Sequence, residues 1–253
     1  MKNNVLRLSL FLLSLLVISC SSDDGASEPE QSKPKLLTKV IQSTDTWSSE
    51  AIYNYDSDYL LTHISFVEDP NFIVEFEYNS QNRIVEANQF KDGELYIIQS
   101  YEYENGKLIK SVWDESPDTI HSLVSEYIYD EGIVVTEIEE NNYYDQIIYY
   151  DYEYNDLVVK KIRRDSDDMD YELITYDGLK TPFQDYNLSF INPFNSFGNI
   201  LKEERFRDGV LQSTVDYEIT YDEESFPIRT IKRDSYVGGE NVYTETFEYF
   251  YSE

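Results

Sequence analysis

The sequence predicts an all-β fold, a long antiparallel meander of about 16–18 strands made from repeated β-hairpins and curled into a flattened barrel or super-rolled sheet. Three observations lead there. An aromatic anchor recurs along the chain at Tyr55, Tyr78, Tyr103, Tyr129, Tyr154, Tyr176, Phe194, Tyr221 and Tyr249, at intervals of roughly 18–28 residues. Each interval holds two turn signals, which implies two strands per repeat. Between the turns, apolar and polar residues alternate with a period of two.

The elements of one repeat can be read in order. Most anchors are followed by Asp, Asn or Glu, as at Asp56, Asn79, Glu104 and Asp130. A turn comes next, clearest at Asn105-Gly106 and Glu131-Gly132, where residues that tolerate positive φ suit a tight hairpin. An apolar pair then opens the next strand: Leu60-Leu61, Ile84-Val85, Leu108-Ile109, Val134-Val135, Val158-Val159 and Ile200-Leu201. Half a repeat later a second turn appears, at Asp92-Gly93, Asp208-Gly209 and Gly238-Gly239, and beside Pro70 and Pro117. Within strands, Tyr150, Tyr152 and Tyr154 alternate with Asp151 and Glu153, and Tyr217, Ile219 and Tyr221 with Glu218 and Thr220. An aromatic face set against a mostly acidic one is the mark of half-buried antiparallel strands. No long segment carries a 3.6-residue apolar stripe, so little helix is expected. A sheet of this length must curl or close to cover its aromatic face and block its edges, which leaves a flattened barrel, a rolled sheet or a wide barrel with a Tyr-lined cavity.

The 253 residues include 50 acidic and 20 basic ones, a formal charge of −30. Such a field repels nucleic acid phosphates and anionic headgroups, so no nucleic acid partner is expected. Low hydropathy with high charge can mean disorder, but an aromatic content of 15% argues for a packed domain.

Lys2 and Arg7 precede an apolar run from Leu8 to Ile18, too short to span a bilayer and suited to a signal peptide. The run ends in Val17-Ile18-Ser19-Cys20, which resembles a bacterial lipobox. The expected organisation is a lipoprotein signal peptide over 1–19, a lipidated Cys20 with a flexible acidic tether over 20–35, and one hairpin-repeat domain over 36–253. Lipidation accounts for a lone cysteine in an exported chain, because the thiol becomes a thioether. Ser21-Ser22-Asp23-Asp24-Gly25 resembles the export signal of Bacteroidota surface lipoproteins, which implies an outer-membrane lipid anchor and a domain facing the exterior.

The repeat units resemble degenerate YD (Rhs-type) repeats. Residues 36–253 behind their signal resemble Bacteroidota lipoproteins of a domain-of-unknown-function family with a porin-like fold. Gly178-Leu179-Lys180-Thr181-Pro182-Phe183 is similar to a K-x-P-F landmark found late in such chains. The resemblance implies a fold and an address, and no catalytic residues. A true transmembrane barrel is the structural rival; it needs an apolar outer band, which the acidic face does not supply.

Chemistry is sparse. No G-x-S-x-G elbow, P-loop or H-E-x-x-H occurs. His63 lies in a strand, and His121 follows a turn. Carboxylate pairs could serve glycoside hydrolysis, but among 50 acids a pair carries no specificity. Asp165-Ser166-Asp167-Asp168-Met169-Asp170 lacks the glycine and the last glutamate of a calcium loop, so it reads as a solvated turn. No metal, cofactor or catalytic residue is therefore assigned. Residues 178–195 interrupt the repeat with aromatic side chains, and Phe183, Tyr186 and Phe190 are the candidate ligand-binding residues. Asp118-Thr119-Ile120 resembles the Bacteroidota O-glycosylation acceptor, which makes Thr119 a candidate modification site.

The function expected is a surface-exposed, non-catalytic binding module for an extracellular glycan or protein. The alternatives are an envelope structural or assembly lipoprotein without a small ligand and, behind both, a carboxylate-dependent hydrolase. An open Tyr-lined cavity favours the first, a dry closed interior the second, and two convergent desolvated carboxylates the third.

Overall fold

The computed structural model describes residues 34–115, 122–164, 170–182, 193–239 and 242–252. Cys20, Thr119, His121, Phe183, Tyr186 and Phe190 lie outside the described residues. The chain runs through β1 (Leu37–Ser43), β2 (Ser48–Tyr55), β3 (Leu61–Phe66), β4 (Phe72–Tyr78), β5 (Ile84–Lys91) and β6 (Glu94–Glu104). It continues with β7 (Lys107–Glu115), β8 (Ser122–Asp130), β9 (Ile133–Asn141), β10 (Gln146–Asn155) and β11 (Val158–Arg163). The last strands are β12 (Tyr171–Tyr176), β13 (Ile200–Arg207), β14 (Val210–Tyr221), β15 (Pro227–Tyr236) and β16 (Val242–Tyr251). A short 3-10 turn, Asn195–Phe197, precedes β13. Strands adjacent in the chain are adjacent in the sheet, and β1 pairs with β16, so the meander closes into a sixteen-strand antiparallel barrel. Closure removes both edges that an open meander would leave exposed.

The turns follow their sequence. Asp92-Gly93, Asn105-Gly106, Glu131-Gly132 and Asp208-Gly209 all have positive φ at both residues, from 45° to 100°, the geometry of two-residue hairpins whose twist matches the strands. Five-residue turns use a different device. The Asp or Asn after the anchor accepts two backbone N–H groups: Asp56 Oδ1 from Asp58 and Leu60, Asn79 Oδ1 from Gln81 and Arg83, and Asp222 Oδ1 from Glu224 and Phe226. The acid or amide after the tyrosine is thus a turn cap.

The apolar pair after the turn is a β-bulge. The register slips beside Tyr55, Tyr78, Tyr103, Tyr129, Tyr176 and Tyr221, which face Leu61, Ile84, Leu108, Val134, Ile200 and Pro227. The carbonyl at the bulge is taken by the anchor tyrosine of the next strand. Tyr55 donates to Leu37 O at 2.8 Å, Tyr78 to Leu61 O at 2.7 Å and Tyr103 to Ile84 O at 2.8 Å. Tyr129 donates to Leu108 O at 2.7 Å, Tyr154 to Val134 O at 2.5 Å and Tyr251 to Pro227 O at 2.7 Å. This explains the preference for Tyr over Phe: the ring packs inside and the hydroxyl satisfies a carbonyl that the bulge displaces from the ladder.

Two anchors are reassigned. In β16 the girdle position is Tyr251, because its hydroxyl makes the carbonyl contact, while Tyr249 lies two residues further into the barrel. Phe194 belongs to no strand and packs on Tyr152, with ring centroids 5.0 Å apart.

The girdle closes one end of the barrel. Leu37, Leu61, Ile84, Val134, Val159 and Phe226 are almost fully buried there. Both ends of the described chain join it: Leu36 and Ser252 exchange two hydrogen bonds, and Lys35 Nζ reaches Asp222 Oδ2 at 2.6 Å and Glu224 Oε2 at 2.8 Å. Outward positions mix charged residues, with Glu75, Glu77, Glu102, Glu126, Glu153, Glu218 and Arg229 exposed, and apolar ones, with Ile128, Ile147, Tyr149 and Phe250 exposed among them. Among the described residues, charged side chains interrupt the outward apolar ones, so the wall differs from the uninterrupted apolar band of a lipid-facing barrel.

One expectation needs correction. The strand alternation predicts an aromatic inward face and an acidic outward one, yet beyond the girdle the inward face carries Glu137, Lys161, Glu203, Arg205, Lys232 and Glu245. The physical reason is width. Sixteen strands enclose more space than their side chains fill, so the middle of the lumen keeps polar surroundings that tolerate charge.

Candidate functional site

Among the described residues the end opposite the girdle is open, and register places its wall residue by residue. Tyr150 pairs with Arg163, Lys161 with Glu172, Glu172 with Arg205, Arg205 with Ser213 and Ser213 with Tyr236, one inward row from β10 to β15. With Tyr171, Phe206, Arg207, Gln212 and Val237 this row encloses a cavity of about 530 Å³, within the range of small-ligand sites. Tyr171 and Phe206 stack at its edge, centroids 4.5 Å apart. Arg207 lies two residues after Arg205 on the same face of β13 and also lines the cavity, while the bulge opposite places its extra residue, Gln212, on β14.

The wall below is a network of paired charges. Lys161 Nζ sits 2.7 Å from Glu137 Oε2 and 3.9 Å from the centre of the Tyr150 ring. The same carboxylate accepts the Tyr152 hydroxyl, and burial together with that anion holds the phenol protonated far into the alkaline range. Burial raises Glu139 above the usual carboxylate range, with Lys161 opposing the shift and Glu137 reinforcing it. Lys232 Nζ lies 2.9 Å from Glu245 Oε2, and Gln42 donates to Glu245 Oε1 at 2.9 Å. Burial pushes the Glu245 carboxyl up, but the hydrogen bonds from Lys232 and Gln42 outweigh it and hold the group below its ordinary value. Tyr217 donates to Glu203 Oε1 at 2.7 Å.

A second recess of about 360 Å³ opens at the same end, lined by Trp113, Glu115, Leu123, Asn141, Tyr143 and Tyr144. Tyr143 and Tyr144 meet edge to face at the tip of the β9–β10 turn, 59% and 70% exposed, and Tyr236 is 63% exposed on the far side of the mouth. Rings standing this far in solvent contribute little to the core. A third hollow, about 340 Å³, lies inside against Val40, Ala51, Tyr53, Phe66, Phe247 and Tyr249.

The residues singled out in the sequence are distributed differently. His63 is on the outer wall of β3, opposite Glu75, with its Nδ1 3.1 Å from Thr62 Oγ1. Of the acidic turn Asp165–Asp170, only Asp170 is described; its Oδ1 accepts the Asp208 backbone N–H at 2.9 Å. Among the described residues no group of three or more His, Cys, Asp or Glu is placed to hold a metal ion. The K-x-P-F segment serves the girdle end. Asp177 Oδ1 accepts from Leu179 N and Asn199 N, Asn199 Nδ2 donates to Lys180 O, and Lys180 Nζ lies 4.2 Å over the Phe226 ring. The cationic row of the open end went unrecognised in sequence, although Val159-Lys161-Arg163 and Glu203-Arg205-Arg207 alternate with the strand period.

Fold and site together define a closed antiparallel barrel, blocked by tyrosines at one end and open to solvent at the other. A solved structure is similar in fold. The chain is similar to a porin-like protein from Bacteroides uniformis ATCC 8492, with 14% identity and a TM-score of 0.50 over 87% of this chain and 98% of that one. A porin-like protein from Bacteroides vulgatus ATCC 8482 aligns over 87% of this chain and 99% of its own, with 14% identity and a TM-score of 0.43. No family model matches the sequence, and no curated relative does. At such identity the likeness to the first structure speaks for the fold alone.

Proposed function

We propose that this chain is an outer-membrane lipoprotein of the Bacteroidota type, lipidated at Cys20 and tethered through residues 20–35. Its barrel stands outside the bilayer, facing the cell exterior, as a non-catalytic module that binds an extracellular glycan at its open end. The observation that carries this reading is the contrast between the two ends and the wall. The girdle end is packed, the wall is charged, and the open mouth presents exposed rings beside two recesses. Sugar rings stack on such aromatic edges, and side-chain polar groups take their hydroxyls. The likeness to a degenerate YD-repeat lipoprotein supports the address. The wall argues against insertion in lipid, since ionised groups near a bilayer midplane cost up to about 2–4 kcal/mol each. Hydrolysis is disfavoured because the Glu137 carboxylate is already engaged by Lys161 and Tyr152.

The test is a panel of immobilised glycans probed with the full chain in detergent, alongside protease shaving and fatty-acid labelling of cells. The reading expects saturable binding to a subset of glycans, weakened several-fold by Tyr144→Ala or Tyr236→Ala, and acyl label lost in Cys20→Ser. Binding to no glycan at all would shift the weight to a structural envelope role.

A further inference from the structure

The open-end cavity reverses the charge balance of the molecule. The chain has 50 acidic and 20 basic residues, yet among the described residues the cavity is lined by Lys161, Arg163, Arg205 and Arg207 against Asp170 and Glu172. These cations are not equivalent. Lys161 is held by Glu137. Arg205 is bonded through Nε to Glu172 Oε1 at 2.9 Å, its Nη2 is 3.7 Å from Glu203 Oε2, and its side chain is 55% exposed. Arg207 is exposed, and its guanidinium has no ion pair or hydrogen bond among the described residues. Evenly scattered surface charge would place arginines beside the many outward carboxylates. Here one guanidinium faces a cavity with its donors uncommitted among the described residues, and a second presents part of its fork to the same space.

We propose that this cavity receives the anionic group, a carboxylate or a sulfate, of an acidic glycan, with Arg207 and Arg205 as the receiving cations and Tyr236 and Tyr150 as the walls for the sugar ring. The inference rests on the glycan-binding reading and narrows it to a chemical class. A guanidinium matches a carboxylate or sulfate through paired N–H donors, and such charge-assisted bonds are the strong ones. The net charge sets a further limit. A chain at −30 repels a densely charged polyanion, so the ligand is one that carries its anion singly on otherwise neutral rings. Asp170 and Glu172 in the lining disfavour multiple anions in the same way.

The experiment uses the full chain in detergent micelles and isothermal calorimetry with four probes. These are an oligosaccharide ending in glucuronic acid, the same compound with its carboxyl reduced to the alcohol, a singly sulfated analogue, and heparin as the dense polyanion. The expected result is that the acid or the sulfated form binds at least about ten-fold more tightly than the reduced form, with affinity falling as salt is raised. Arg207→Ala should lose about ten-fold, Arg207→Lys should recover part of it, and Arg229→Ala on the outer wall should change nothing. The carboxylate and sulfate arms identify which anion is preferred. Equal binding of the acid and reduced forms, or full binding by Arg207→Ala with an unchanged melting curve, overturns this inference while leaving glycan binding standing. Preference for heparin over the singly charged probes overturns it too. Binding of none of the four, in a protein that does bind other glycans on the panel, overturns it alone; binding of no glycan overturns both readings.

Discussion

Replacing Tyr103 by Phe removes one oxygen and leaves the ring in place. That oxygen donates to the Ile84 carbonyl at 2.8 Å, beside a residue whose exposure is 0%. The ring keeps its packing against the Ile84, Ala87, Tyr101 and Leu108 cluster and its place 5.6 Å under the Arg83 guanidinium. The loss is therefore confined to one hydrogen bond and one stranded acceptor. A net hydrogen bond is worth about 1 kcal/mol, and a buried carbonyl left without a partner costs about 1–3 kcal/mol. For a domain of this size each kcal/mol moves the melting midpoint by roughly 2–4 °C, so a fall of roughly 2–12 °C is expected. Chemical denaturation followed by circular dichroism gives the same quantity independently. Tyr78→Phe and Tyr129→Phe should behave alike, because each repeats the geometry. Tyr96→Phe, at a residue 50% exposed, is the control and should be silent. If all three girdle variants match the wild type within about 0.3 kcal/mol, the hydroxyl–carbonyl girdle is not a stabilising device and the explanation for Tyr at the anchors fails.

Gly198→Ala should destabilise by about 2–4 kcal/mol, since φ is +93° and a Cβ would lie 2.5 Å from Asp177 Oδ1 and 2.7 Å from Gly178 N; Gly93→Ala, with open space around it, should cost only about 1 kcal/mol by thermal melting. In alkali, burial raises the phenols of Tyr101 and Tyr129 from 10.0 to about 12. A folded value raised above the unfolded one gives stability that is complete below pH 10 and is lost as pH climbs towards 12, so tyrosinate absorbance should grow together with loss of the β signal. Full ionisation with the sheet intact would contradict the burial of these rings. Acid works with the opposite sign at Glu245. Its folded value lies below 4.5, so its contribution is present above that pH and disappears as pH falls through the folded value. Glu245→Gln should flatten the pH dependence of the melting midpoint in that window while lowering the midpoint at neutral pH, where Lys232 loses its partner.

Much of the fold is written in local chemistry. Asp-Gly and Asn-Gly pairs specify turns by the φ they tolerate, and alternation specifies which face of a strand is buried, because both depend on neighbours one or two residues away. Sixteen strands could be counted this way, within the expected range. The anchor tyrosines were visible too, but their purpose was not. That Tyr78 serves the Leu61 carbonyl depends on a bulge in one strand and a ring in the next, a relation between residues 17 apart that exists only once register is set. The same distinction explains the two misplaced anchors. Phe194 keeps the local look of an anchor but has no strand to sit in, and Tyr249 differs from Tyr251 only in which hydroxyl reaches Pro227.

The open end shows the limit most plainly. Arg205 and Arg207 are two residues apart in sequence and carry an obvious charge, yet nothing local distinguishes them from the charges of the outer wall. Their meaning comes from β1 pairing with β16, a contact between the two ends of the chain. Closure turns one face of every strand into a lumen too wide to fill, and it brings β10 to β15 around a common cavity. Turn type and burial pattern are short-range quantities that a sequence carries in its residue order. The sharing of one cavity by five connections is a global property, and only the closed barrel creates it.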